Sequence, residues 1–112
     1  MALGMNSAAA EVIPLAVVHA TVKVDRAISQ KVMELELTDD SGKAFGEFTT
    51  RHVGQAVDLC VDEQPVMSPR IVEPILGGKI MVSGSFAEDE LETMAKRIED
   101  KAAKVTVRTQ DN

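Results

Sequence analysis

Three of the chain's four prolines and four of its seven glycines fall within one stretch, Gly54 to Phe86. Between them stand short apolar runs of Val, Ile and Leu, the pattern of consecutive short strands separated by enforced turns. Val57, Leu59 and Val61 alternate with Asp58, Cys60 and Asp62, and Glu63 and Gln64 make the following turn. Pro65, Pro69 and Pro74 then each delete an amide from any ladder, so the segment from Pro65 to Ile75 reads as an edge strand, bulged or irregular. Gly77 and Gly78 permit a sharp reversal, after which Ile80, Val82 and Gly84 alternate with Met81, Ser83 and Ser85. No Gly-x-x-x-x-Gly-Lys-Ser/Thr frame surrounds the glycine pair, which excludes a phosphate loop.

The flanking sequence supplies two strands before this block and a helix on either side of it. Residues 17–25 place Val18, Ala20, Val22 and Val24 on one face and His19, Thr21, Lys23 and Asp25 on the other. A polar connection from Arg26 to Gln30 leads to Lys31–Thr38, with Met33, Leu35 and Leu37 inward and Val32, Glu34 and Glu36 outward, so the two runs form a hairpin. Asp39 or Asp40 caps a helix over about Ser41 to Val53. Its stripe is Phe45, Phe48, Thr49 and His52, and Gly54 closes it. Gly46 inside that helix costs ~1 kcal/mol relative to Ala. Ser85 with Glu88 matches a capping box for the last helix, which carries acid at Glu88 to Glu92, an apolar stripe of Leu91, Met94, Ala95, Ile98 and Ala102, and Lys101 and Lys104 at its end. Val105 and Val107 point inward from a closing strand. The order ββαβββαβ predicts an α+β fold: a mixed, mostly antiparallel sheet of about five or six strands, with two helices of about 13 to 17 residues packed on one face. One domain is expected over residues 12–109, with residues 1–11 a poorly ordered leader remnant and 110–112 a frayed tail.

Composition removes several functions. With three Phe and neither Trp nor Tyr, the chain has no stacking platform for single strands or sugars, and a net charge of -6 disfavours a phosphate backbone, so nucleic acid is not an expected partner. Cys60 is the only cysteine, which excludes an internal disulfide and a thiolate metal cage. No apolar run approaches the ~20 residues of a transmembrane helix. The opening MALGMNSAAAEVIPL carries Ala8 and Ala10 in the pattern that ends a secretory leader, which points to a periplasmic or secreted location. His19, His52, Asp58 and Asp62 are the residues a small enzyme would draw on, but they are dispersed and each has a structural explanation. No catalytic residue, cofactor or metal ligand is therefore expected, and the acidic run Glu88 to Glu92 reads as a solvated helix start.

ELTDDSGKAFGEFTTRHVG, then VDLCVDEQPVMSPRIVEPILGG, then VSGSF before an acidic helix together resemble the head subdomain of the first periplasmic region of the SecD protein-export family. The resemblance covers about residues 33–103 and rests on Gly42, Phe45, Thr49, Gly54, Asp62, Pro69, Ile71, Glu73, Pro74, Ile75, Gly77, Gly78, Gly84 and Phe86. This chain departs from the family pattern at Glu63, where a glycine is usual, at Met67, where a serine is, and at Ala87, where threonine or serine starts the last helix. The resemblance implies a non-catalytic interaction module whose partner is polypeptide or a membrane protein complex. Such a surface would comprise Met67, Pro69, Arg70 and Met81, with adaptable methionines beside the proline-rich edge. A small structural or oligomer-forming periplasmic protein is the alternative, and a small enzyme the remaining one.

Overall fold

The structure, a computed structural model, describes residues 10–87 and 89–110. Most of the stretch expected to be a leader remnant, residues 1–9, the Glu88 half of the expected capping box and the last two residues of the chain lie outside the described residues. The elements run β1 (Val12–Leu15), β2 (Val17–Asp25), β3 (Gln30–Leu37), α1 (Asp39–Arg51), β4 (Val57–Val61), β5 (Gln64–Met67), β6 (Lys79–Val82), α2 (Glu90–Glu99) and β7 (Val105–Thr109). The α+β class and the order ββαβββαβ hold, with β1 added ahead of them. The strands divide between two antiparallel sheets, β1-β7-β4-β5 and β2-β3-β6.

The division follows from how β1 and β2 meet. β1 pairs β7 with Val12 opposite Arg108 and Leu15 opposite Val105. One residue later the chain enters the other sheet. At that crossover the Ala16 N–H donates to Ser41 Oγ at 2.8 Å, and the Ala16 carbonyl accepts from the Thr38 N–H at 3.0 Å. Thr38 is also the N-cap of α1, its hydroxyl oxygen accepting from the Ser41 N–H at 3.2 Å, so Asp39 and Asp40 occupy the first turn rather than the cap.

Alternation fails where the backbone shifts register. A bulge between Val17 and His19 buries Val17 and turns Val18 outward, while Val24, near the hairpin's far end, is 62% exposed. Asp25 pairs Gln30, so the connection is one residue shorter than expected, and Ser29 takes a φ of 53° within it. Val32 and Cys60, placed by alternation on the outward faces, are buried. Each belongs to an inner strand, β3 or β4, where neighbours on both sides hem in even the outer row.

One apolar cluster joins the sheets and helices, with Met33, Leu35, Phe48, Val57, Val82 and Val107 among its most enclosed members. α1 contributes Phe45 and Phe48, and α2 contributes Leu91, Ala95 and Ile98 while packing on β2 and β3. α2 starts later than the sequence suggests: Glu90 reaches back to accept from the Ala87 N–H at 3.0 Å, the reciprocal half of a capping box set beyond Ser85. At its other end Lys101 has a φ of 61° and Ala102 donates to the Arg97 carbonyl, a left-handed stop without glycine.

The hairpin β4–β5 turns through Asp62 (φ 51°) and Glu63 (φ 70°), the signature of a type I′ turn. The usual glycine is dispensable because Asp62 is tied down on both sides: its amide donates to the Lys104 carbonyl, its carboxylate accepts from the Lys104 N–H, and Arg97 pairs with it at 2.8 Å. β5 lies at the edge of its sheet, as Pro65 requires.

Because Thr38 and Ser41 fix both the helix start and the sheet crossover, Thr38→Ala is expected to lower stability by about 1 kcal/mol in chemical denaturation. Combining it with Ser41→Ala should give a non-additive loss in a double-mutant cycle, since the two hydroxyls act in sequence within one helix turn, Thr38 Oγ1 on the Ser41 N–H and Ser41 Oγ on the Ala16 N–H.

Candidate functional site

Gly42 and Gly46 sit one turn apart on α1 and face the loop that leads into β6. A Cβ on Gly42 would come within 3.2 Å of Gly78 Cα, and one on Gly46 within 3.1 Å of a Leu76 methyl. The loop is held against these glycines by polar contacts. Thr49, the one buried polar residue of the described chain, donates its hydroxyl to the Gly46 carbonyl at 3.0 Å and accepts from the Ile75 N–H at 2.9 Å. Gly78, at a φ of 73°, offers its carbonyl to the Leu37 N–H at 2.9 Å. Sequence reasoning priced Gly46 as a weak point of the helix. The signal it missed is the i, i+4 spacing of two glycines, which lets a second backbone run along the helix.

An open cleft of about 800 Å³ lies beside this contact, between α1 and the 76–79 loop. Its rim carries Glu36, Asp39 and Glu47 against Lys43, Arg51 and Lys79, so opposite charges balance. Leu76, 74% exposed, supplies apolar surface. Met81 lies one strand position beyond, on the solvent face of β6 and 43% exposed, opposite Glu34. Glu34 is already paired with Lys23 and, at 3.4 Å, with Lys79. Those two ammonium groups, led by the hydrogen bond from Lys23, hold its carboxyl below the usual range.

The other residues singled out from the sequence fall as follows. Met67 ends β5 and is half-buried against the core. The Pro69 carbonyl accepts from the Val57 N–H at 3.0 Å, and the Arg70 guanidinium donates to the Gly54 carbonyl. Through Val57 with Pro69 and Gln55 with Ile71, the register of Leu59 with Met67 continues, so the hairpin ladder extends past β5 to Ile71. Met67, Pro69 and Arg70 thus follow one another along one sheet edge, while Met81 stands on the other sheet.

The two histidines and two aspartates occupy separate places with separate partners. His19 Nδ1 lies 3.4 Å from Glu99. His52 caps α1, its ring 4.6 Å from that of Phe48, with Nε2 2.8 Å from Glu11 Oε1 and Nδ1 2.7 Å from Gln55 Oε1. Asp58 accepts from Gln110, Ser68 and Arg108, and these contacts, Gln110 first, keep its carboxyl below the ordinary range despite partial burial. Asp62 is committed to the hairpin turn. Burial pushes the Cys60 thiol up, which makes it a poor nucleophile. Among the described residues no group of three or more His, Cys, Asp and Glu gathers to hold a metal, and no helix is long and apolar enough to cross a membrane.

Fold and surface together define an antiparallel α+β domain whose exposed features are main chain and apolar side chains around a charge-balanced cleft. Residues 9–103 match the family described as SecDF, P1 head subdomain, and the chain belongs to that family. Among its relatives is the protein translocase subunit SecD of Dictyoglomus turgidum, 30% identical over 94 residues, covering 84% of this chain and 23% of that protein. The SecD of Acidaminococcus fermentans is 35% identical over 66 residues, 59% of this chain and 16% of that one. The fold is shared with a solved structure of SecDF, a membrane component that enhances protein export, at a TM-score of 0.69 and 21% identity over 75% of this chain and 38% of that one. It is shared equally, at 0.69, with SecDF in a super-membrane-facing form. The chain spans less than a quarter of the length of either SecD relative.

Two substitutions test this architecture. Thr49→Val leaves the part-buried Ile75 N–H without an acceptor and is expected to cost about 1–3 kcal/mol, with Thr49→Ser recovering most of it in urea unfolding. Asp58 has a folded pKa below its unfolded value, so its contribution is present at neutral pH and lost as pH falls through the range below about 4. Asp58→Asn should therefore be less stable than the parent at pH 7, by about 1 kcal/mol, and nearly equal to it at pH 2.

Proposed function

We propose that this domain is a non-catalytic interaction module that works on the periplasmic side of the inner membrane in protein export, and that its partner is polypeptide. The observation that carries the reading is the match of nearly the whole described chain to the SecDF P1 head family. The surface supports it. Its cleft and edges present peptide groups, Leu76 and the two methionines, whereas His19, His52, Asp58 and Asp62 are each engaged locally. Met67, Pro69, Arg70 and Met81 belong to the contact surface in this reading, the methionines adapting to varied side chains and the Pro69–Arg70 segment shaping the rim.

Amide chemical-shift mapping with an unfolded export substrate tests the proposal. Perturbations are expected along Met67–Arg70, along Lys79–Met81 and at Leu76, and a photo-crosslinker at position 81 should capture the substrate. An unchanged spectrum at millimolar peptide would reject polypeptide as the partner.

A further inference from the structure

The four outer edges of the two sheets are not equivalent. On β1 the Thr109 N–H donates to the Glu11 carbonyl, and the alternation this sets turns Pro14 away from β7. The outer edge of β1 therefore has no N–H at its centre. On β5 the two-residue turn makes Val61 and Gln64 the hydrogen-bonded pair, which turns the Pro65 nitrogen outward in the same way. On β2 the outward Ala20 N–H is taken by Glu99 Oε1 at 2.8 Å and the Val17 carbonyl by Lys101 Nζ at 2.7 Å, both from the end of α2.

β6 has no such guard. Leu37 donating to Gly78 fixes Gly78, Ile80 and Val82 as the residues that bond β3, so the peptide groups of Lys79 and Met81 point away from it. Among the described residues no strand pairs that side, and no proline occurs between Lys79 and Val82. An outward row of alternating N–H and C=O groups is complementary to one kind of molecule, a chain in extended conformation.

We infer that the outer edge of β6 accepts an extended, uncharged, apolar polypeptide segment as a fourth strand of the β2-β3-β6 sheet. The inference rests on the reading of polypeptide as partner and names where and how it binds. The surroundings select the chemistry of the segment. Glu34 is neutralised by Lys23 and Lys79, and the cleft at the head of β6 balances three acids with three bases, so neither an acidic nor a basic segment gains from the local field. Met81 beside the edge and Leu76 at its head offer apolar contact to alternate side chains of the incoming strand.

The experiment titrates the full chain with an eight-residue Val/Thr-rich peptide and with two versions of it N-methylated at alternate residues in opposite registers. Shifts should centre on Lys79–Ser83, one methylated register should bind like the parent peptide, and the other should bind at least about tenfold more weakly, as losing two main-chain bonds implies. Affinity should be nearly unchanged between 50 and 500 mM salt, values at which surface charge pairing would differ strongly. Met81→Pro, which deletes an outward N–H along with the side chain, should lose more affinity than Met81→Ala, which removes the side chain alone, while melting within a few degrees of the parent; the methylated peptides decide the matter should that variant unfold. Val24→Pro, on the far half of β2, should bind normally. Equal binding of both methylated registers, or shifts confined to Met67–Arg70 or to β2, overturns strand addition at β6 while leaving polypeptide binding standing. Concentration-dependent dimerisation through β6 in place of peptide binding overturns it in favour of a second copy, and absence of any binding removes both readings.

Discussion

The hydrogen bonds around Ala16 are the constraint on which the rest of the structure depends. A chain passing from one sheet to another must leave a residue between ladders, with an amide and a carbonyl that neither ladder satisfies. Here both are taken by the first turn of α1, through Ser41 Oγ and the Thr38 N–H. The Thr38 hydroxyl also closes the Ser41 amide, one of the helix's own free donors. One short cluster thus fixes where the sheets divide, where the helix begins and which way it points. From that direction it follows that Gly42 and Gly46 face the loop before β6, because both lie within the two turns that Thr38 and Ser41 orient. Had the crossover been left to water, the helix would be positioned by apolar packing alone, which tolerates sliding in a way that paired polar groups do not.

Much of this was legible. The face of α1, most of the face of α2, the β2–β3 hairpin, the edge position of the proline-bearing strand and the inward rows of β6 and β7 follow from periodicity within a few turns of chain, whereas Ala102, expected on the last helix's stripe, lies exposed beyond the helix end at Glu99. What failed did so where local pattern was overruled by distant partners. β1 reads as VIPL, too short and too uniformly apolar to alternate, and it becomes a strand only because β7, more than ninety residues on, supplies its ladder. The separation into two sheets is likewise carried by pairings that no window of sequence contains. The exposure of Val18 came from a bulge, and the burial of Val32 and Cys60 from the central position of their strands, both properties of the assembled sheet.

The residues of the proposed contact surface were read from different signals. Met67, Pro69 and Arg70 emerged from the proline-rich segment because proline marks edges directly, and Met81 emerged from strict alternation. Leu76 and the helix glycines did not emerge, since a glycine in a helix reads first as a loss of propensity and shows its purpose only when the loop beside it is seen. The departure at Glu63 is informative in the same way. Two consecutive non-glycine residues in the left-handed region cost about 1–2 kcal/mol each, and the turn persists because Asp62 is held by Lys104 and Arg97 from another part of the chain.

Edges are where a small sheet protein is most exposed to unwanted pairing, and three of the four here are blunted by a proline or by a helix end. The means differ, yet each removes or occupies an outward N–H: Pro14 and Pro65 lack one, and that of Ala20 is bound by Glu99. The outer side of β6 carries no such proline or helix contact at either of its outward residues among the described residues. Shortness alone limits its hazard, since four residues offer two outward peptide units and cannot template a long ladder. In the proposed reading, an edge of that length would hold a partner strand weakly and release it readily, which suits a transient contact and not a permanent assembly.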